Sequence, residues 1–150
     1  MYKILITSAI AISLTACASI TNDTSHPMKL ETKTAQGQLT TDADCSFTND
    51  YGISTGKSGG SVSIRRSSKD LDIVCKKAGL PDAMARLISR ANGGMFGNIL
   101  FGGGIGAIID HNKGTAYTYP TWIQMVFGSS LVFDRTNEKE GQPTPAGTSK

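Results

Sequence analysis

The stretch Ser61-Val62-Ser63-Ile64-Arg65, followed by Ser67-Ser68-Lys69-Asp70 and Leu71-Asp72-Ile73-Val74-Cys75, decides the fold class. Val62 and Ile64 share one face and the serines the other; Leu71, Ile73 and Cys75 repeat the pattern. A period of two is what a half-buried strand requires, because successive side chains point to opposite faces. The four polar residues between the runs predict a turn, and hence a β-hairpin. Upstream, Ala43-Asp44-Cys45-Ser46-Phe47 alternates in the same way and meets the turn-rich cluster Asn49-Asp50-Tyr51-Gly52. Downstream, residues 115–120 predict a strand ended by Pro120, and residues 121–133 a last β segment with Gly128 as a break. The expectation is a mainly β, small sandwich-like domain.

Two stretches depart from that pattern. Pro81 suits the first turn of a helix, and Met84, Leu87 and Ile88 then share a helical face, so 81–91 predicts one short helix. Residues 91–109 follow, nineteen residues without a charge, seven of them glycine. Three readings compete for this run. In one, its apolar residues pack on the sheet, with glycines allowing close backbone approach. In another, Gly93-x3-Gly97 and Gly102-x3-Gly106 are small-xxx-small pairs of a membrane-associating or self-associating zipper, and the segment resembles the glycine-zipper segments of some outer-membrane lipoproteins. As a helix the run would reach about 28 Å, marginal for crossing a bilayer. In the third, Gly102 to Ala107 formally fits G-x-G-x-x-A, but no surrounding βαβ unit supports a phosphate loop.

The strand–turn–strand pattern of 43–80, with Gly79 soon after the last strand, loosely resembles the PEGA-like β-modules of bacterial envelope proteins. It departs from them at Ser58-Gly59-Gly60, where Pro-Gly is expected. That resemblance implies an accessory β-module and carries over no catalytic residue.

The amino terminus supplies an address. Lys3 gives a short positive region, residues 4–14 an uncharged apolar one, and Thr15 and Ala16 a small-residue cleavage site. Eleven helical residues rise only about 16 Å, too short for a lasting transmembrane helix. Leu14-Thr15-Ala16-Cys17 resembles the lipobox of bacterial lipoproteins. The resemblance implies removal of residues 1–16 and lipidation of Cys17, with acyl chains such as palmitate. Ala18 after the cysteine resembles an outer-membrane sorting signal, so the expected location is the bacterial cell envelope, on the outer membrane. With Cys17 assigned to lipid, Cys45 and Cys75 remain as an even pair in an oxidising compartment. A disulfide is the favoured reading, worth about 3–4 kcal/mol on the chain-entropy account. Two buried thiols are the alternative; zinc lacks a four-ligand cluster.

Ser/Thr/Asn/Lys-rich composition predicts a lipidated flexible tether over 17–36, and Pro/Gly/Glu/Lys composition a disordered tail over 134–150. One β-rich domain, 37–133, lies between them. The formal net charge is +3, with 15 Lys and Arg against 12 Asp and Glu, and falls close to +2 when Lys3 leaves with the leader. That balance is too weak to argue for nucleic acid.

Catalytic candidates are few. His26 falls in the expected tether, and His111 beside Asp110 in a polar turn reads as a surface histidine. Asp42, Asp44, Asp50, Asp70 and Asp72 scatter over turns and strand ends, with no acid–base pair to pick out. Tyr117 and Tyr119 share one strand face, forming either packed core or a small aromatic binding surface. No metal or cofactor is implied. The expected function is a non-catalytic, lipid-anchored accessory or docking subunit, held to the membrane by its lipid and bound to another envelope protein. The alternative is a glycine-zipper lipoprotein that self-associates through Gly102 and Gly106.

Overall fold

Alternation of apolar and polar residues is carried further by the chain than those runs suggest. The computed structural model describes residues 24–91 and 114–147. Its first strand, β1 (Ser25–Lys33), buries His26, Met28, Leu30 and Thr32 and turns Lys29 and its neighbours outward. Strands β2 (Leu39–Thr40), β3 (Asp44–Asn49), β4 (Gly52–Lys57), β5 (Gly60–Arg65), β6 (Leu71–Lys76) and β7 (Ala83–Ile88) follow. The two-residue strands β8 (Arg90–Ala91) and β9 (Tyr117–Thr118) come next. They precede β10 (Trp122–Val126), β11 (Ser130–Asp134), a 3₁₀ turn at Arg135–Asn137 and β12 (Ala146–Gly147).

These strands form two sheets and a small ladder. In the first sheet β1 is central: β10 runs parallel to it on one side, while β5 and β2 pair antiparallel along its two halves. The second sheet has the order β12-β11-β7-β6-β3-β4. β8 and β9 pair only with each other. Both sheets turn their alternate residues into one core, where Met28, Leu30, Ile64, Ile123 and Met125 of the first meet Phe47, Leu71, Ile73, Leu87 and Phe133 of the second. The protein is mainly β and sandwich-like. Cys45 and Cys75 lie directly opposite each other on β3 and β6 and form a disulfide, Cα–Cα 4.0 Å.

Several expectations change. The two founding strands do not form a hairpin: β5 pairs with β1, and β6 with β3 and β7. Both strands present an apolar face to the same core, so pattern alone cannot choose a sheet, and β1 supplies the partner that the sequence reading lacked. Residues 66–70 are a crossover between the sheets, fixed by Ser67, whose hydroxyl bonds the Asp50 carboxylate. The short helix of 81–91 is instead β7, with Ala83, Ala85 and Leu87 buried and Met84 and Arg86 outward. Helical and strand spacing both fit that segment, and the open edges of β6 and β11 decide it by pairing with its backbone on both sides. The expected tether of 17–36 contains β1, because residues 26–33 alternate under a polar composition. The expected tail of 134–150 holds the 3₁₀ turn, capped by the Asp134 side chain, and β12. Residues 121–133 divide at Gly128 (φ 82°) into two strands of different sheets. The leader, Cys17, Gly102, Gly106 and His111 lie outside the described residues.

Candidate docking site

Which strand edges are left without a partner follows from that pairing. β4 pairs with β3 alone and β5 with β1 alone, so one lateral side of the molecule carries two strand edges unpaired among the described residues. β4 is exposed along almost its whole length, and Ile53 is 73% exposed. The strand has no proline, and its one charged residue, Lys57, is engaged with Asp44 across to β3. Edges are commonly protected by prolines, bulges or charged side chains; β4 has no proline, keeps a regular register with β3, and carries its one charge, Lys57, at its last residue.

A cleft of about 520 Å³ lies between β4 and β5. Phe47, Val62 and Ile64 lie at its base, and the rest of its lining is polar or glycine, chiefly serines of β4 and β5 with Thr55 and Lys57. Gly56 is needed here: a Cβ would come within 2.9 Å of Val62 Cγ1 and 3.4 Å of Phe47 Cε2. The cleft is therefore thin because β4 carries small residues, and its apolar floor is core residues reached from the side. At one end the chain closes it through Ser58-Gly59. At the other end Asn49 Nδ2 donates to the Arg65 carbonyl at 3.0 Å, and the Arg65 guanidinium lies 4.0 Å from the Tyr51 ring centroid. A second hollow of about 150 Å³ opens there beside Ile53.

The outer face of the six-stranded sheet carries ion pairs beside two open hollows, one of about 650 Å³ at Asp44, Thr55 and Val74 and one of about 390 Å³ at Val74, Met84 and Val132. Lys57, Asp44, Lys76 and Asp82 alternate in sign along one row, and Asp72 and Arg86 pair across another. The Arg86 guanidinium is held in its charged form, its pKa raised by the Asp72 hydrogen bond and charge. On the outer face of the other sheet, Lys29 lies over Trp122 at 3.9 Å and bonds Glu31, which also accepts from Gln124. Burial pushes the Glu31 carboxyl up, but bonds from Gln124 and Lys29 outweigh it and hold the pKa below the usual range. The Trp122 indole N–H points at Glu31 without reaching a well-formed bond.

His26 is not in a tether. It is 5% exposed, 6.0 Å from the Tyr119 ring, and its nitrogens have no well-formed hydrogen bond among the described residues. Burial, with Arg66 and Arg135 nearby, pushes its pKa down to about 4, against a smaller opposing pull from Glu138 and the Pro120 carbonyl. Tyr119 is wholly buried and donates its hydroxyl to the Lys69 carbonyl at 2.7 Å, and burial raises its pKa to about 12. It is a core residue, so Tyr117 and Tyr119 make no shared aromatic surface. Among the described residues no group of three or more His, Cys, Asp or Glu is placed to hold a metal, and no helix is long and apolar enough to cross a membrane.

The arrangement offers backbone pairing along two edges and an apolar floor between them, which suits an extended polypeptide. Sequence reasoning missed β4 because its glycines and serines dilute the alternation of Ile53, Thr55 and Lys57. It missed β1 although His26-Met28-Leu30-Thr32 was there to be read. No protein-family model, no curated protein and no solved structure matches the chain.

Proposed function

We propose that this protein is a lipid-anchored docking subunit of the bacterial cell envelope, without catalytic activity of its own. Cys17 carries the lipid at the outer membrane, and the β-domain engages another envelope protein by strand addition at β4. The observation that carries the docking part is the unprotected edge of β4 beside a cleft with an apolar floor. Strand addition supplies affinity through main-chain bonds along the added strand.

The test is site-specific photocrosslinking in the full-length lipidated protein in its own envelope. A crosslinker at Ile53 should give a discrete adduct that Thr55→Pro abolishes while the fold persists. A crosslinker at Met84, exposed on the outer face of the six-stranded sheet, should give none. Equal adducts at both positions, or an Ile53 adduct insensitive to Thr55→Pro, would refute docking at β4. A second reading, in which residues 91–109 engage the membrane, is favoured by where that segment leaves the domain.

A further inference from the structure

The two segments that leave the described domain do so at one place. Thr24, the last described residue toward the amino terminus, accepts a hydrogen bond from the Arg66 amide at 2.7 Å. Gly114, where the chain returns after residues 92–113, lies against the Arg66 carbonyl so closely that a Cβ there would stand 2.6 Å from that oxygen. Ala91, where the same segment departs, is paired with Tyr117 three residues further on. Arg66 thus separates the amino-terminal exit from the exit of the uncharged, glycine-rich run. All three points lie at the end of the sandwich formed by Tyr51, Arg65, residues 66–70 and Arg90.

That end is built as a rigid plate. The Ser67 carbonyl accepts from the Ser89 hydroxyl at 2.6 Å, Asp70 accepts the Ser89 amide at 3.0 Å, and Tyr119 bonds the Lys69 carbonyl. These bonds turn its carboxylates toward the protein: Asp50 is held by Ser67, Asp70 by Ser89, and Asp134 by Arg90 and the Thr136 amide. Arg65 and Lys69 are exposed and have no ion-pair partner among the described residues. Arg65 and Lys69 share this end with the exposed carboxylates of Asp50 and Asp70, each of which accepts from an uncharged donor of the protein itself.

We propose that this end of the domain is its membrane-contacting face, resting on a bilayer of anionic headgroups. One leg of the argument rests on the lipid anchor at Cys17 proposed above. Because β1 already begins at Ser25, only seven residues separate it from Cys17, and the span from Cys17 to Ser25 at full extension is about 27 Å. That is no longer than the domain itself, since a nine-residue strand spans about 30 Å. The Arg66 end therefore stays within one domain length of the headgroups. The second leg is independent of the lipid: the uncharged, glycine-rich run of 91–109 belongs to a segment that departs from and returns to the same end. The third is the exposed pair Arg65 and Lys69, each basic group at an anionic surface adding roughly five-fold to partition.

The test uses the full lipidated protein in phosphatidylglycerol/phosphatidylcholine vesicles carrying a headgroup-region quencher. Ser68→Cys and Ala78→Cys place a fluorophore at the Arg66 end and at the opposite end, both positions being exposed. The Ser68 label should be quenched several-fold more than the Ala78 label. Arg65→Glu with Lys69→Glu should reduce that difference in anionic vesicles and leave it unchanged in phosphatidylcholine alone. Equal quenching, or stronger quenching at Ala78, would overturn the orientation. Mass spectrometry of the amino terminus on the same sample separates the two readings. An acylated Cys17 with equal quenching keeps the anchor and removes the membrane face. An unmodified Cys17 with selective Ser68 quenching removes the anchor and keeps the face.

Discussion

The two lateral sides of this sandwich are finished differently. On the side of β10 and β11, the carboxy-terminal chain crosses from one sheet edge to the other. Glu138 accepts from the Thr121 amide at 2.7 Å and from its hydroxyl, the Thr144 amide donates to the Trp122 carbonyl at 2.8 Å, and β12 then pairs with β11. On the side of β4 and β5, no described residue does the same. One pair of edges is thus partly covered by the protein's own tail, at the Trp122 carbonyl and at Val132 and Phe133, and the equivalent pair is uncovered among the described residues. The difference supports the docking edge proposed above more than the exposure of any single residue does, because the molecule itself shows how such a side can be covered.

The largest expected effect comes from emptying the floor of the open side. Phe47 is 2% exposed and packs beneath β4 and Val62, so Phe47→Ala should cost about 3–5 kcal/mol. Denaturant unfolding followed at a probe in β4 and another in β12 would show one cooperative loss if the sides share a core. Early loss confined to β4 would show that the open side is a separate unit.

Next is the disulfide, which fastens β3, and through it β4, to the middle of the sheet. Replacing Cys45 and Cys75 together by Ala should cost about 3 kcal/mol on the chain-entropy account. Hydrogen exchange should rise more over 44–57 than over 130–147. A uniform rise would mean that the bridge stabilises the whole domain rather than its open side.

His26 gives a pH signature. Its pKa is about 4 in the folded protein, against about 6.5 when exposed. As pH falls through 6.5 the unfolded chain takes up a proton that the folded protein refuses until about pH 4. Stability is therefore full well above pH 6.5 and declines as pH falls through 6.5 toward 4, with a ceiling of roughly 3 kcal/mol set by the shift. His26→Leu should flatten the decline in a series of melts across that window. An unchanged slope would show that carboxylates, such as Asp134 held well below the usual range by Arg90, set the acid limb.

How much of this could be read from the residues alone depends on the range of the interactions. Strands whose alternation is local and strong, 61–65 and 71–75, announce themselves, and so does the pairing of Cys45 with Cys75 once Cys17 is set aside. What fails is pairing and composition. The parallel partnership of β1 with β10 joins residues about ninety positions apart, and no local pattern encodes it. β7 hides behind a helical spacing that its neighbours override. β1 hides behind the polar residues of its outer face, although its inner face is regular. The edge of β4 is the least legible feature, since what makes it a candidate site is the partner it lacks among the described strands.

The smallest effect is the most direct test of the comparison. Glu138→Ala removes the largely covered carboxylate that seats the tail over Thr121 and pairs with Arg135, and should cost about 1–3 kcal/mol. A chain ended after Asn137 removes Thr144 and β12 as well, leaving the edges of β10 and β11 as bare as those of β4 and β5. If unsatisfied edges are what recruit partners, the shortened protein should gain a concentration-dependent self-association seen by sedimentation. Glu138→Ala, with the tail merely loosened, should lie between it and the intact protein. A shortened chain that stays monomeric at the highest concentrations would show that an open edge on this fold is insufficient for pairing. Docking at β4 would then have to come from its cleft rather than from its backbone.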